Sequence, residues 1–115
     1  MEIEKICNTM ISVLSCVYMI QSFKNKASED IFNGDNTKSA RKICPKILWK
    51  LARRKLDQLD SVVELEELKI PPGNRLEALI GDRKDEYSIR INDQYRICFG
   101  WLKSGSDCVE ITDYH

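Results

Sequence analysis

The chain has 115 residues, 43% of them hydrophobic and 31% charged, with 18 basic side chains against 18 acidic ones. That is enough for one domain with one modest core, and a net charge of zero leaves no global field to draw in a nucleic acid. Five cysteines (Cys7, Cys16, Cys44, Cys98, Cys108), with no C-x-x-C pair and none beside the single histidine, exclude a zinc site and a disulfide framework; they read as free thiols in a reducing cytoplasm.

Residues 1–18 stand apart from the rest of the chain. Their apolar run, Met10 to Ile20, is too short to span a bilayer. It is also a poor signal peptide, because two glutamates against one lysine precede it. Residues 1–18 are therefore expected to be an extension ahead of an alternative start at Met19, or else an amphipathic helix that covers the domain. Residues 19–115 are expected to form the single folded domain.

Met19 to Phe23 is a short strand candidate. Ala27 to Phe32 predicts a brief helix stopped by Asn33-Gly34. A longer helix is expected from Pro45 to Leu59, with Ile47, Leu48, Leu51, Ala52, Leu56 and Leu59 as one apolar stripe. Charge is divided sharply here: eight basic and no acidic residues from Lys38 to Lys55, then five acidic and no basic ones from Asp57 to Glu67. Lys46, Lys50, Arg53 and Arg54 lie opposite the apolar stripe, where a charged face is ordinarily just solvated. Ser61-Val-Val-Glu64 reads as a capping box that opens a short helix ending near Leu68. Ile70-Pro-Pro-Gly-Asn74 is a rigid connection. Arg75 to Leu79 reads as a strand, followed by a polar turn from Gly81 to Asp85.

Tyr87 to Trp101 carries the clearest signal. Tyr87, Ile89 and Ile91 alternate with Ser88 and Arg90, and Tyr95, Ile97, Phe99 and Trp101 alternate with Arg96, Cys98 and Gly100. A period of two predicts two half-buried antiparallel strands around an Asn92-Asp93-Gln94 turn. Keeping both apolar faces together pairs Ile91 with Tyr95 across a three-residue turn and sets Arg90 opposite Arg96, whereas a two-residue Asn-Asp turn is the competing register and would separate them. Like charges across a ladder are destabilising, so the pair either flanks an anion or lies along a wet face with local acids. A last strand runs from Cys108 to Thr112. Helices first and an antiparallel meander second make the class α+β, with two or three N-terminal helices packed on one sheet face.

No Walker loop, dinucleotide fingerprint, nucleophile elbow or metal-ligand spacing is present, and no cofactor is implied. The second half instead gathers Arg75, Glu77, Arg83, Lys84, Arg90, Arg96, Asp113, Tyr114 and His115. Arginines can clamp a phosphate and offset charge that grows during phosphoryl transfer. His115 is the side chain whose ordinary titration spans neutral pH. A terminal Asp-Tyr-His is otherwise a frayed end.

The runs Met19-Ile-Gln-Ser-Phe23, Pro72-Gly-Asn-Arg-Leu-Glu-Ala-Leu79, Ser88-Ile-Arg-Ile-Asn-Asp-Gln-Tyr-Arg-Ile97 and Val109-Glu-Ile-Thr-Asp-Tyr-His115 together resemble the HigB toxins of the RelE/ParE toxin–antitoxin superfamily. The resemblance covers Met19 to His115. It implies helices packed on an antiparallel sheet, cleavage of messenger RNA on the translating ribosome's small subunit, and a helix-turn-helix antitoxin of the HigA type. Operator DNA would be met only through that antitoxin, and no membrane is involved. By the same resemblance Asp113, Tyr114 and His115 are active-site members and Arg96 a phosphate clamp. Other members carry a histidine where Glu77 stands and a lysine where Ile80 stands. Glu77 is then a general base or a plain surface residue.

The same resemblance implies a mechanism. RNA supplies its own nucleophile, the 2′-hydroxyl. Arg96 and Arg90 are assigned to the phosphate, with Arg75 as a third cation. Proton transfer goes to His115 with Asp113 or Glu77, and base stacking to Tyr114. The terminal carboxylate on His115 favours the imidazolium, suiting a general acid. Lys46, Lys50, Arg53 and Arg54 are the expected contacts to ribosomal RNA. The competing readings are a non-catalytic toxin of the same superfamily that inhibits DNA gyrase, and a non-toxic RNA-binding module. On parity, Val109, Ile111, Asp113 and His115 share one face, so β-pairing must end or bulge after Thr112 if the last residues are to meet Arg96.

Overall fold

The computed structural model describes residues 19–113. The expectations for residues 1–18, Tyr114 and His115 lie outside the described residues. Helix α1 (Lys26–Asn33) starts where Asn25 Oδ1 accepts the Ser28 N–H at 2.9 Å. It stops at Gly34, whose φ of 81° lets its N–H turn back onto the Asp30 and Ile31 carbonyls. Helix α2 (Lys38–Ile43) is capped by Thr37, whose hydroxyl accepts the Ala40 N–H at 3.1 Å. The buried Asp30 carboxylate ties the two helices by accepting from Lys26 Nζ at 2.7 Å and from the Thr37 hydroxyl at 2.8 Å.

The long helix expected from Pro45 differs in its first turn. Lys46–Leu48 is a 3₁₀ turn, and helix α3 proper spans Trp49–Ser61. The tighter winding rotates Ile47 out of the apolar stripe, leaving it 87% exposed, and Trp49 is buried in its place. The Trp49 indole donates to the Cys44 carbonyl at 2.9 Å and locks the break before Pro45. The capping box also lies three residues further on than expected. Ser61 is the last residue of α3, while Glu64 and Glu67 form the reciprocal box that opens a 3₁₀ segment, Leu65–Lys69.

Four antiparallel strands complete the domain, in spatial order β1 (Glu77–Ala78), β2 (Glu86–Arg90), β3 (Tyr95–Leu102) and β4 (Gly105–Asp113). The predicted strand from Arg75 shrinks to the two residues of β1 because Arg75 itself is left-handed, with φ 47°. The hairpin register is the one that parity requires: Arg90 faces Arg96, and the Ile91 N–H donates to the Tyr95 carbonyl at 2.9 Å. Asn92 shapes the turn, its Oδ1 accepting the N–H groups of Gln94 and Tyr95.

One face of the sheet presents Ile89, Ile91, Ile97, Phe99, Val109 and Ile111 to the helices, where Ile31, Ala52, Leu56 and Leu59 meet them. Each large side chain buried there stabilises the fold by about 1.5–3 kcal/mol. Residues 19–24 lie along the outer edge of β4, with Gln21 N–H donating to the Ser106 carbonyl at 2.7 Å and Val109 N–H to the Ser22 carbonyl at 3.1 Å. The expected strand there is a single parallel bridge, Phe23 to Val109. The approach is close enough that a Cβ on Gly105 would collide with the Met19 carbonyl oxygen.

Strand β4 carries a bulge. Asp107 pairs with Gly100 and Glu110 with Cys98, so Cys108 and Val109 together stand opposite Phe99. Cys108 has φ 49° and is disulfide-bonded, which corrects the expectation that every cysteine is a free thiol. The bulge lifts it out of the strand's alternation. Cys44 and Cys98 are free and buried, and burial pushes the Cys44 thiol up to about 11.

Candidate functional site

The sheet face turned away from the helices carries Glu77, Ser88, Arg90, Arg96, Cys98 and Thr112, all placed by the register. Arg96 is its centre and is only 8% exposed. Its Nε donates to Ser88 Oγ at 2.8 Å and its Nη2 to the Arg75 carbonyl at 2.7 Å. The same Nη2 lies 3.8 Å from Glu77 Oε1. A planar guanidinium has the donors and the fork to hold a strand, a turn and an acid together.

Arg75 closes the 3₁₀ turn Pro72–Asn74, which comes after a cis Ile70–Pro71 bond. The left-handed region is strained for a residue with a Cβ, and the Arg96 bond to its carbonyl holds it there. The Arg75 and Glu77 side chains are exposed. Arg90 is half-buried and pairs with Asp93, an acid 94% exposed on the hairpin turn. The two facing arginines therefore diverge, one toward Ser88 and Arg75, the other toward the turn. That relieves the repulsion their register creates.

Further along this face, Arg83 donates to Glu86 at 2.8 Å and to Glu110 at 2.6 Å, and Lys24 stands 3.5 Å from Glu110. Burial opposes the Arg83 charge, but the bonds from Glu110 and Glu86 outweigh it and raise its pKa. This network roofs the buried Cys98 thiol, which burial also raises.

Asp113 does not join Arg96. The ladder continues through Asp113, which stands opposite Tyr95, and Thr112 occupies the position facing Arg96. The bulge falls at Cys108 rather than after Thr112, so it does not reverse the parity of the strand end. Asp113 accepts from Gln94 Nε2 at 2.9 Å. Burial, then Asp113, then Cys44 raise the Tyr95 hydroxyl. Lys46, Lys50, Arg53 and Arg54 are exposed, the first on the 3₁₀ turn and the rest on α3. Because α3 packs on the apolar face, these cations and the Arg96 group lie on different sides of the sheet.

Sequence reasoning passed over three polar residues here. Ser88 is wholly buried beneath Arg96. Asn74 is wholly buried, and its Nδ2 donates to Gln58 Oε1 at 3.0 Å, to the Leu68 carbonyl at 3.0 Å and, at 3.4 Å, to the Ile70 carbonyl. Lys55 Nζ donates to Asn74 Oδ1 at 2.5 Å. Ser88 was legible as the polar partner in the alternation of β2. Nothing in the spacing ties Lys55 to Asn74. Among the described residues no group of three or more His, Cys, Asp or Glu side chains is placed to hold a metal ion, and no helix is long and apolar enough to cross a membrane.

Helices leading into a four-stranded antiparallel sheet is the arrangement of the RelE-like toxins of type II toxin–antitoxin systems. Residues 21–115 match the model of the HigB-like toxin family, described as the RelE-like toxin of the type II system HigB. The chain belongs to that family. It is 38% identical over 84 residues to Toxin HigB-1 of Vibrio cholerae serotype O1 (strain El Tor Inaba N16961), covering 73% of this chain and 85% of that one. It is also 40% identical over 55 residues to an uncharacterised protein of Haemophilus influenzae Rd, covering 48% of this chain and 54% of that one. A toxin of a type II system works opposite a cognate antitoxin, and toxins of this family are typically ribonucleases.

Proposed function

We propose that the chain is a cytoplasmic endoribonuclease that cleaves messenger RNA on the translating ribosome and so arrests translation. The observation that carries this reading is the Arg96 group. A buried guanidinium fixes Arg75 and stands beside Glu77, with Arg90 directly across the ladder, in a chain that belongs to a toxin family.

In the reaction, the 2′-oxygen attacks the adjacent phosphorus and loses its proton. The bond to the 5′-oxygen breaks, and that oxygen gains a proton. Glu77 takes the first proton and His115 gives the second, as a carboxylate and an imidazolium are suited to do. Arg75 and Arg90 hold the phosphate, and Arg96 fixes the geometry and adds charge from below. Asp113 stands on the other face, so its part is to orient the two residues after it. Tyr114 stacks on a base. Lys46, Lys50, Arg53 and Arg54 contact ribosomal RNA through phosphates, in a manner independent of sequence. The antitoxin is a helix-turn-helix protein of the HigA type, and operator DNA is met through it.

Induced expression with mapping of messenger RNA 5′ ends tests the reading. New 5′ ends within coding regions are expected as growth stops. Growth arrest with intact transcripts would overturn it.

A further inference from the structure

Lys55 and Asn74 lie outside every role assigned so far. Lys55 stands on α3 among exposed cations, yet its side chain is half-buried and aimed at the loop before β1. The loop is fixed from two sides: Lys55 and Gln58 hold Asn74 from α3, while Arg96 holds the next carbonyl, that of Arg75, from β3. The ammonium is thereby brought to the cationic end of the hairpin.

Its surroundings are unusual for a lysine removed from water. An ammonium has three donors, and Asn74 takes one. Among the described residues no carboxylate pairs with it. Burial, then Arg54, then Arg90 lower its pKa, so its charged neighbours there are cations. A purely structural lysine so placed would be better replaced by a neutral donor, since the charge is desolvated and repelled. Such a charge gains only when an anion arrives. The nearest acid able to serve Arg90 is Asp93, which is almost fully in water and easily displaced.

We infer that Lys55, positioned by Asn74, is a further substrate-binding cation that works with Arg90 to hold an RNA backbone phosphate at the turn end of the β2–β3 hairpin. This rests on the reading of the site as an RNA site. It joins the basic face of α3 to the Arg96 group, which otherwise stand on different sides of the sheet.

The test is binding without cleavage. A short single-stranded RNA methylated at every 2′-oxygen cannot be cut, because its nucleophile is blocked. Its affinity is measured across a salt series for the full chain, for Lys55→Gln, which can still donate to Asn74, and for Lys55→Arg. Each phosphate contact to a single strand adds about 0.7 to the salt slope. The Lys55→Gln slope should be smaller by about 0.7, and the Lys55→Arg slope unchanged. An unchanged slope in Lys55→Gln would overturn the inference, whatever happens to its melting temperature. In the unaltered protein, the Lys55 Nζ resonance should move on titration with the same RNA while that of the exposed Lys103 stays still. A stationary Lys55 signal would also overturn it. Cleavage enters neither readout: a chain that binds through Lys55 but never cuts would sink the nuclease reading and leave this one standing.

Discussion

Phe99 and Arg96 are three residues apart on one strand, both removed from water, and held by opposite means. On the helix side of the sheet, Phe99 is fully buried in the core that includes Ile31, Leu56, Ile89 and Val109, which excludes water without directional bonds. On the outer side, Arg96 is 8% exposed and is held by directional bonds, to Ser88 Oγ and to the Arg75 carbonyl among the described residues. The apolar face tolerates shape changes at the cost of stability. The polar face depends on particular donors and acceptors, and losing one strands the rest. The same strand therefore supports the fold with one face and offers fixed cations with the other.

Substitutions can separate the two faces. Phe99→Ala should have the largest effect, about 3–5 kcal/mol of stability, read by urea unfolding. Activity in that variant should fall only with the folded fraction. Glu77→Gln should do the reverse. Its side chain is exposed, so the unfolding midpoint should stay put while cleavage drops by roughly 10² or more. Unchanged cleavage would make Glu77 a surface residue. Arg96→Lys keeps the charge but loses an arm of the fork. It should destabilise by about 2 kcal/mol, the worth of one charge-assisted hydrogen bond, and should slow cleavage because Arg75 is no longer pinned.

The smallest effect concerns the polar joint between α1 and α2. Bonds from Lys26 and then Thr37 hold the Asp30 carboxylate below its ordinary range. A folded value below the unfolded one means acid favours the unfolded chain. The contribution is complete above the unfolded value of about 3.9 and is lost as pH falls through the folded value. Asp30→Asn should therefore show a smaller loss of stability between neutral and acid pH than the unaltered chain. An equal loss in both would place the acid sensitivity elsewhere.

What can be read from the sequence divides along the same line. The apolar face is written in the alternation from Tyr87 to Trp101, because with a period of two a slip by one residue would turn the whole apolar set to the other face. That register also sets Arg90 opposite Arg96. Elements with weak local signals are less legible. Ile47 fits a helical stripe, but Lys46–Leu48 winds as a 3₁₀ turn before α3 begins. Arg75 has strand neighbours, but the chain needs a left-handed residue there. The site is readable as a set of residue types and not as a geometry. Which donor of Arg96 meets which acceptor depends on a turn 21 residues away, and the Lys55–Asn74 bond spans 19. The position of Asp113 is decided by where the bulge falls, and Cys108 carries no composition signal for it.

The most direct measurement adds purified protein to a reconstituted translation reaction, with and without ribosomes, and maps the message by primer extension. The account predicts cuts within the message only when ribosomes are translating it, and an intact message with a folded His115→Gln variant. A message left whole by the unaltered chain on translating ribosomes, or cut equally fast by His115→Gln, would contradict it.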